Sequence, residues 1–575
     1  MPVLVRRAAL GTAVALAFAF ACRLAYGLSM PFWSEDERQV YLIGLRAFAR
    51  GEWPFFGADV VWTGGQVPGA MLGLLVKVPL AIWPSPEAPT VLLNLLSWAA
   101  LAALAWYLAR RMPAVPRWLL RTWLFTLPWT LNFSAHVVNP SYVLAGSVAF
   151  FIGFFEGWPG LRRGIVPFGA AWALMGAGLF FLAQIHLSWV LLVPYLIFAA
   201  AGVVRTGVAD PALGRGPAMG RAAIAFVAGA AVTGWPLVPT LVTYGFDAGG
   251  ATSVVSPHVQ GPFGLVVTAA RVLSFASFEI NRFAGLSAPE RMLLIWEQPW
   301  VMPFLIVVVP AGVLHPLWMA VALVRRGPAP APDWSRVRLL LLATVLLIYA
   351  SYFWSIRGPQ AHSFYVVFPV AALFACACWR EFVPAGGRRA KLWTRVAGVV
   401  LAANAATHLA LAIDRWPAKS LYTDRAVVAA AIARENDRLL GDRRDTVVRH
   451  EDHRPRPIDR VDARAYLRAE PQDDLQVVSA DWAPVLGRVS RFSVTLDNRS
   501  RVAAWIDIRF ATTYRDASGR LVDVREGVIK RLIQPGERRH FKHVTDGWVP
   551  ARATSATFTI VDAERVIPSF RSGPQ

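Results

Sequence analysis

The feature that most constrains this chain is the blocking of its apolar residues. They gather in runs of roughly 17–25, the length at which an α-helix crosses the hydrocarbon layer of a bilayer. The runs lie at about 8–30, 67–84, 89–109, 118–137, 142–157, 166–183, 187–204, 222–240, 300–324, 337–355, 360–380 and 393–412, with a weaker stretch at 261–280. Of the 575 residues, 55% are hydrophobic and 24 are tryptophan. Soluble domains sit near 45–50% even with glycine counted. The expected fold class is therefore a polytopic α-helical membrane protein.

A formal charge of +21 raises nucleic acid as a partner. The distribution argues against it, because much of the basic charge sits in short loops between apolar runs, as the positive-inside rule requires. Cys22, Cys376 and Cys378 all fall within apolar runs. They read as small packing residues rather than a disulfide framework or a metal site. Arg6 and Arg7 precede the first run. A signal peptide is one reading of that stretch, but the run is long and lacks a small-residue cleavage site before Trp33. A retained first span with a cytoplasmic N-terminus is the other, and is preferred.

Charge parity then sets the topology. The basic clusters are Arg110/Arg111, Arg162/Arg163, Arg205/Arg215/Arg221, Arg325/Arg326/Arg336/Arg338 and Arg388/Arg389/Lys391. If every run spans, all of them fall outside, opposite Arg6/Arg7. If one run between Asp36 and Arg110 does not span, all fall inside. The run at 67–84 is the candidate, interrupted by Pro68, Pro79 and Pro84, with Lys77 in its middle. Such a segment lies in the interface more readily than it crosses. This gives about eleven spans. The first outer loop, 31–89, carries two surface helices, and the C-terminus lies outside.

Under that topology polar residues collect at the outer ends of the spans. Glu35, Asp36, Glu37 and Asp59 lie in the first outer loop, His136 and Asn139 in the second, and Gln184 and His186 in the third. His258, Glu279, Arg282 and Glu297 belong to the fourth, and Arg357 and His362 to the fifth. Ionisable groups at membrane depth are costly and usually functional, so a ring of them suggests a cavity open to that side. The triple acid Glu35-Asp36-Glu37 is followed by an amphipathic stretch, Tyr41–Arg50. A carboxylate there suits a general base or a metal ligand. It equally suits a solvated acid pair favoured by the helix dipole. Arg357 forks to phosphate oxygens, with His362 as a second donor; the alternative is an interfacial belt with Tyr365 at headgroup depth. His136, His186 and His258 are weaker candidates, and Glu279–Arg282 reads as a local ion pair on a surface helix. No ligand spacing supports a metal site, so cofactors stay open.

Residues 1–414 form the membrane domain. The stretch 415–474 is a polar linker with a short helix at Thr423–Leu440. Residues 475–575 read as an all-β sandwich, with strand-like runs Val489–Asn498, Ala503–Tyr514, Leu521–Lys530, Arg539–Val544 and Ser555–Val561. Turn residues separate the runs at Asp497–Ser500, Asp516–Gly519 and Gln534–Glu537.

The order of these features resembles the GT-C fold of membrane glycosyltransferases that use polyprenyl-phosphate sugars, in particular the protein-mannosyltransferase and aminoarabinose-transferase branch. The resemblance rests on a first span followed by Asp36-Glu37 and Tyr41. A non-spanning apolar segment comes next, then a span ending in Arg110-Arg111, and later the His362–Tyr365 entry to a span before Pro369. It covers roughly 1–412. Two departures stand out. Gly64–Gly69 replaces the family's Lys-Pro-Pro, and Ala135–Pro140 lacks the second-loop acid. The resemblance implies an inner-membrane enzyme with Asp36 and Glu37 as catalytic acids, Arg357 and His362 on the donor phosphate, and Glu35, Tyr41, His136, His186, His258 and Tyr365 near the substrate. It implies a polyprenyl-phosphate sugar donor and a lipid, glycan or protein acceptor. The rival classes are a transporter or flippase for a lipid-linked glycan and a non-catalytic envelope assembly protein.

Overall fold

A computed structural model describes residues 2–29, 35–51, 53–60, 65–83, 87–206, 215–245, 261–283, 288–325, 331–355, 360–383, 386–415, 469–500, 503–533 and 535–566. The first part of the chain is nearly all helix. α1 (Pro2–Ser29) leads to α2 (Glu35–Arg50), an antiparallel hairpin of β1 (Phe56–Val60) and β2 (Gly65–Pro68), and α3 (Met71–Ile82). There follow α4 (Ala88–Arg111), α5 (Arg117–Thr126), α6 (Pro128–Asn132), α7 (Asn139–Gly157), α8 (Phe168–Ala183), α9 (Val193–Thr206), α10 (Arg215–Gly234) and α11 (Val238–Tyr244). The set closes with α12 (Phe263–Ser274), α13 (Ala288–Glu297), α14 (Met302–Val324), α15 (Trp334–Ser351), α16 (Phe368–Phe382) and α17 (Gly387–Arg415).

Among the described residues, nine helical stretches are long and apolar enough to cross a membrane: Gly11–Ser29, Ala88–Arg111, Asn139–Gly157, Leu187–Arg205, Ala218–Tyr244, Pro299–Val324, Trp334–Trp354, Ala361–Phe382 and Gly387–Asp414. Their outward faces stay apolar, as at Phe18, Ile224 and Val242, each more than two-thirds exposed. Faces of that kind are made for lipid. The chain is built as a multi-pass membrane protein.

Three apolar runs differ from their neighbours. The run at 67–84 folds into the end of the hairpin and the 12-residue α3, which is about 18 Å long and short of a roughly 30 Å hydrocarbon layer. The run at 118–137 breaks into α5 and α6 at Leu127, whose ψ of 133° is extended. Pro128 is the cause, since a proline ring clashes with a helical residue before it. The run at 166–183 gives the 16-residue α8. Around the central α7 the helices approach closely. A Cβ on Gly229 of α10 would stand 1.9 Å from the Ala173 carbonyl of α8, the small-residue contact by which membrane helices pack.

One end of the bundle is tied by a buried ionic network drawn from four connections. Asp333, at the start of α15, faces Arg163 Nη2 at 2.9 Å, Arg111 Nη2 at 3.4 Å and Arg380 Nη2 at 2.9 Å. Glu156 of α7 accepts from Tyr107 OH at 2.9 Å and from the backbone N–H groups of Arg163, Gly164 and Ile165. Glu381 accepts from the Ala331 N–H and pairs with Arg380 at 3.0 Å. Arg111, Arg163 and Arg380, from three separate parts of the chain, thus converge on one carboxylate.

Most of the linker, including the helix expected at Thr423–Leu440, lies outside the described residues. After α18 (Pro471–Asp474) come β3 (Leu475–Trp482), β4 (Phe492–Asn498), β5 (Ala504–Arg515), β6 (Leu521–Ile529), β7 (Arg538–Val544) and β8 (Ser555–Val566). They form two three-stranded antiparallel sheets, ordered β3-β4-β7 and β6-β5-β8. Phe492, Val494 and Leu496 of one sheet and Trp505, Phe510 and Phe558 of the other share a core. β3 has no counterpart in the sequence reading, because a register shift between Val477 and Ser479 breaks its alternation. Val489, expected to open β4, pairs instead with Val485 and Trp548. This β region packs on the helices. His543 Nδ1 meets Glu297 Oε1 at 2.7 Å, and Val485 and Val489 bury Leu293 of α13. Ile506 and Leu532 join the helical core.

Candidate functional site

The break at Leu127 strips backbone carbonyls of their helical partners, and inside an apolar bundle each must be satisfied. Side chains do this. Arg23 of α1, only 2% exposed, donates to Phe125 O at 2.9 Å, Thr130 O at 2.7 Å and Ser134 Oγ at 2.9 Å. Thr130 Oγ1 reaches Leu124 O and Leu127 O, and Asn404 Nδ2 donates to Thr126 O at 2.7 Å. The broken helix is thereby held open, and it presents Trp129 and Phe133 to the interior.

A second irregular segment meets it. α12 runs into the bundle and the chain turns back through residues 275–283. Gly312, halfway along α14, lies against this turn; a Cβ there would be 2.5 Å from Phe278 O. Trp123 Nε1 donates to Ala276 O at 3.2 Å. Non-helical backbone at such depth is tolerated only where protein surrounds it or it lines a cavity. The turn carries charge: Glu279 accepts from Arg271 Nη1 at 2.5 Å and from Trp129 Nε1 at 3.2 Å. The Arg282 guanidinium lies 5.1 Å above the Trp129 ring, within cation–π range. The local Glu279–Arg282 pair expected on a surface helix is corrected here. The direct partner of Glu279 is Arg271, eight residues back, because the segment folds inward and places the two side by side.

Aromatic rings connect this cluster to the histidines. Trp129 stacks on Phe133 at 5.3 Å and on Tyr365 at 5.8 Å. Phe133 stacks on His362 at 6.1 Å and lies 6.4 Å from His136. His186 Nδ1 accepts the Ser188 N–H at 3.1 Å, which puts the proton of the neutral ring on Nε2. Burial, and then the nearby His362, hold the His186 imidazole below its ordinary range. His136, His186, His362, Tyr365 and Arg282 therefore belong to one region.

The hairpin rests beside it. Gly69, at φ +107°, sits so close to Gln184 that a Cβ would meet that side chain at 2.5 Å. Asp59 is held within the hairpin, accepting from Gln66 Nε2 at 2.8 Å. Glu35 and Asp36 form the first turn of α2, and their side chains lie outside the described residues. Glu37 is 2% exposed and Tyr41 5%, so Glu37 is buried and not solvated. Arg357 and His258 also lie outside the described residues. Sequence reasoning missed Arg23, Trp129 and Arg271. A lone arginine inside the first apolar run was the available signal for Arg23; Trp129 and Arg271 carry none. Among the described residues no group of three or more His, Cys, Asp or Glu is placed to hold a metal ion.

Compared with known proteins, the chain matches no family model, no curated protein and no solved structure.

Proposed function

We propose that the chain is a membrane glycosyltransferase that moves a sugar from a polyprenyl-phosphate donor to an acceptor hydroxyl at the outer face of the inner membrane. The observation that supports this most is the inward-folded segment 263–283. It carries Arg271, Glu279 and Arg282 against Trp129, in the same region as His186 and His362. Arg271 is paired with Glu279 and is 36% exposed, so the reading rests on Arg282 and the two imidazoles, which at the edge of an apolar bundle suit a phosphate bound to a lipid chain. On this reading α5–α6 and α8 complete the crossings to about eleven, the ionic network faces the cytoplasm, and the β region is an outer accessory sandwich.

In the proposed reaction Asp36 removes the acceptor hydroxyl proton. The acceptor oxygen bonds to the anomeric carbon as the carbon–phosphate oxygen bond breaks, inverting that centre. Polyprenyl phosphate leaves with the bonding pair, stabilised by Arg357, His362 and Arg282. The phosphate is a weak base, so no strong general acid is required. The test is transfer of a radiolabelled sugar from its polyprenyl phosphate in proteoliposomes. Asp36→Ala should abolish transfer while the protein still inserts. Transfer at the wild-type rate removes Asp36 from the mechanism, and label that crosses the bilayer without changing carrier assigns the chain to transport.

A further inference from the structure

The end of the bundle tied by Asp333 also carries cations that the network leaves out. Arg111, Arg163 and Arg380 close on Asp333. Arg110 lies 4.5 Å over the Trp106 ring, and Arg336 donates to Gly160 O at 2.7 Å. Arg117, which opens α5, and Arg388, Arg389, Lys391 and Arg395, in the first turns of α17, differ from these. All five are exposed, and among the described residues none has an ion pair, a hydrogen bond or a ring partner. α5 contains no acid, and the acid of α17 is Asp414, at its far end. The start of α5 belongs to the Asp333 end, because Arg380 also reaches Met112 Sδ at 3.4 Å, just before Arg117.

α17 brings its cations to the same place. A Cβ on Gly398 would stand 3.4 Å from the Trp118 ring of α5, so the two helices touch there. Arg388, Lys391, Arg395 and Gly398 follow one another at spacings of three, four and three, which puts the cations on the helix face that turns to Trp118. Their depth follows from the length of the span. Gly387–Asp414 has 28 residues, about 42 Å of helix against a hydrocarbon layer of roughly 30 Å. Residues 396–413 hold no charged side chain and cover about 27 Å, so 387–395 stand in the head-group layer. Trp118, Leu392 and Trp393 are each half exposed or more among the cations.

We propose that this face of α5 and α17 binds an anionic phospholipid of the surrounding bilayer. Its phosphodiester meets the unpartnered guanidinium and ammonium groups, which fork to phosphate oxygens. Its acyl chains run along the apolar flank below, past Leu392 and Val396. Trp118 and Trp393 stand at the depth where indole rings prefer the head groups. Five cations with no acid between them are complementary to such a lipid, as polybasic segments beside a span are. A soluble polyanion would answer the charge and leave the exposed tryptophans and leucine unmatched. The patch uses none of Asp36, Arg271, Arg282, His186 or His362, so it stands or fails apart from the glycosyl-transfer reading.

The test uses the full chain in phosphatidylcholine nanodiscs that carry a small fraction of a diazirine-bearing phosphatidylglycerol. The same probe with a choline head group is the control. The phosphatidylglycerol probe should label the first turns of α5 and α17 at least about tenfold more than the control. One cation lost beside an anionic lipid weakens binding about fivefold. Arg395→Gln should lower the labelling preference by that factor, and Arg395→Lys, which keeps the charge, should not. Both variants alter an exposed side chain, so the melting midpoint should stay at the wild-type value. Inorganic phosphate in excess and a single-stranded oligonucleotide should fail to displace the probe. Equal labelling by the two head groups in the wild-type chain, an unchanged preference in Arg395→Gln, or displacement by phosphate or the oligonucleotide overturns the proposal.

Discussion

Replacing Asp333 by Asn tests how the basic end of the bundle is held. Three arginines, Arg111, Arg163 and Arg380, converge on that carboxylate, and the network balances them with Glu156 and Glu381. The Asn variant keeps the shape and removes one negative charge. Arg111, whose side chain is fully buried, keeps Glu156 at 3.6 Å as its remaining anion. Removing one partner of a buried ion pair costs about 3–5 kcal/mol. Arg163 is 41% exposed and can turn to water, where pairs are worth under about 1 kcal/mol. The expected loss is therefore about 2–4 kcal/mol. The assay is the tryptophan-fluorescence melting midpoint of purified protein at fixed scan rate, since large membrane chains unfold irreversibly. Acid sharpens it. Burial alone would raise the Asp333 carboxyl, but Arg163, Arg380 and Arg111 outweigh burial and hold the group below its ordinary range. A carboxyl depressed on folding contributes fully above its unfolded value, about 3.9, and the contribution is lost as pH falls through the folded value. The gap between wild type and variant should be flat above about pH 5 and close below pH 4. A midpoint indistinguishable from wild type, or a gap in midpoint that widens in acid, would refute the reasoning.

Three further outcomes are expected. Trp129→Ala should cost about 3–5 kcal/mol, because the side chain is fully buried among Phe133, Phe275, Phe283 and Tyr365; a melt near wild type would show that those rings do not depend on it. Gly69→Ala should destabilise by about 1–2 kcal/mol through its left-handed φ and its contact with Gln184, read as faster protease nicking of the hairpin. His543→Ala should loosen the β region from α13 by no more than about 1 kcal/mol, because the contact with Glu297 is partly exposed. Limited proteolysis between the helical part and β3 reads this, and a release of the β region tenfold or greater would mean the contact carries more than a partly exposed polar pair can.

The apolar runs and their basic flanks determined the membrane class by themselves. Both are one-dimensional properties: a span needs about twenty apolar residues in a row, and loop charge is read residue by residue. The alternation of Phe492, Val494 and Leu496 likewise marked a strand, because a half-buried strand repeats every second residue. Tertiary structure decided everything that depends on neighbours distant in the chain. Pro128 announces a break, but only Arg23 and Asn404, more than a hundred residues away on either side, show how the bared carbonyls are satisfied. Glu279 reads as the local partner of Arg282 until the fold sets it beside Arg271 and against Trp129. His315 is one histidine in an apolar run until Phe278 and Trp318 close on it. A linear pattern records what each residue prefers to touch. Which partners it meets, and which of its atoms are left unpaired, depends on how the helices pack.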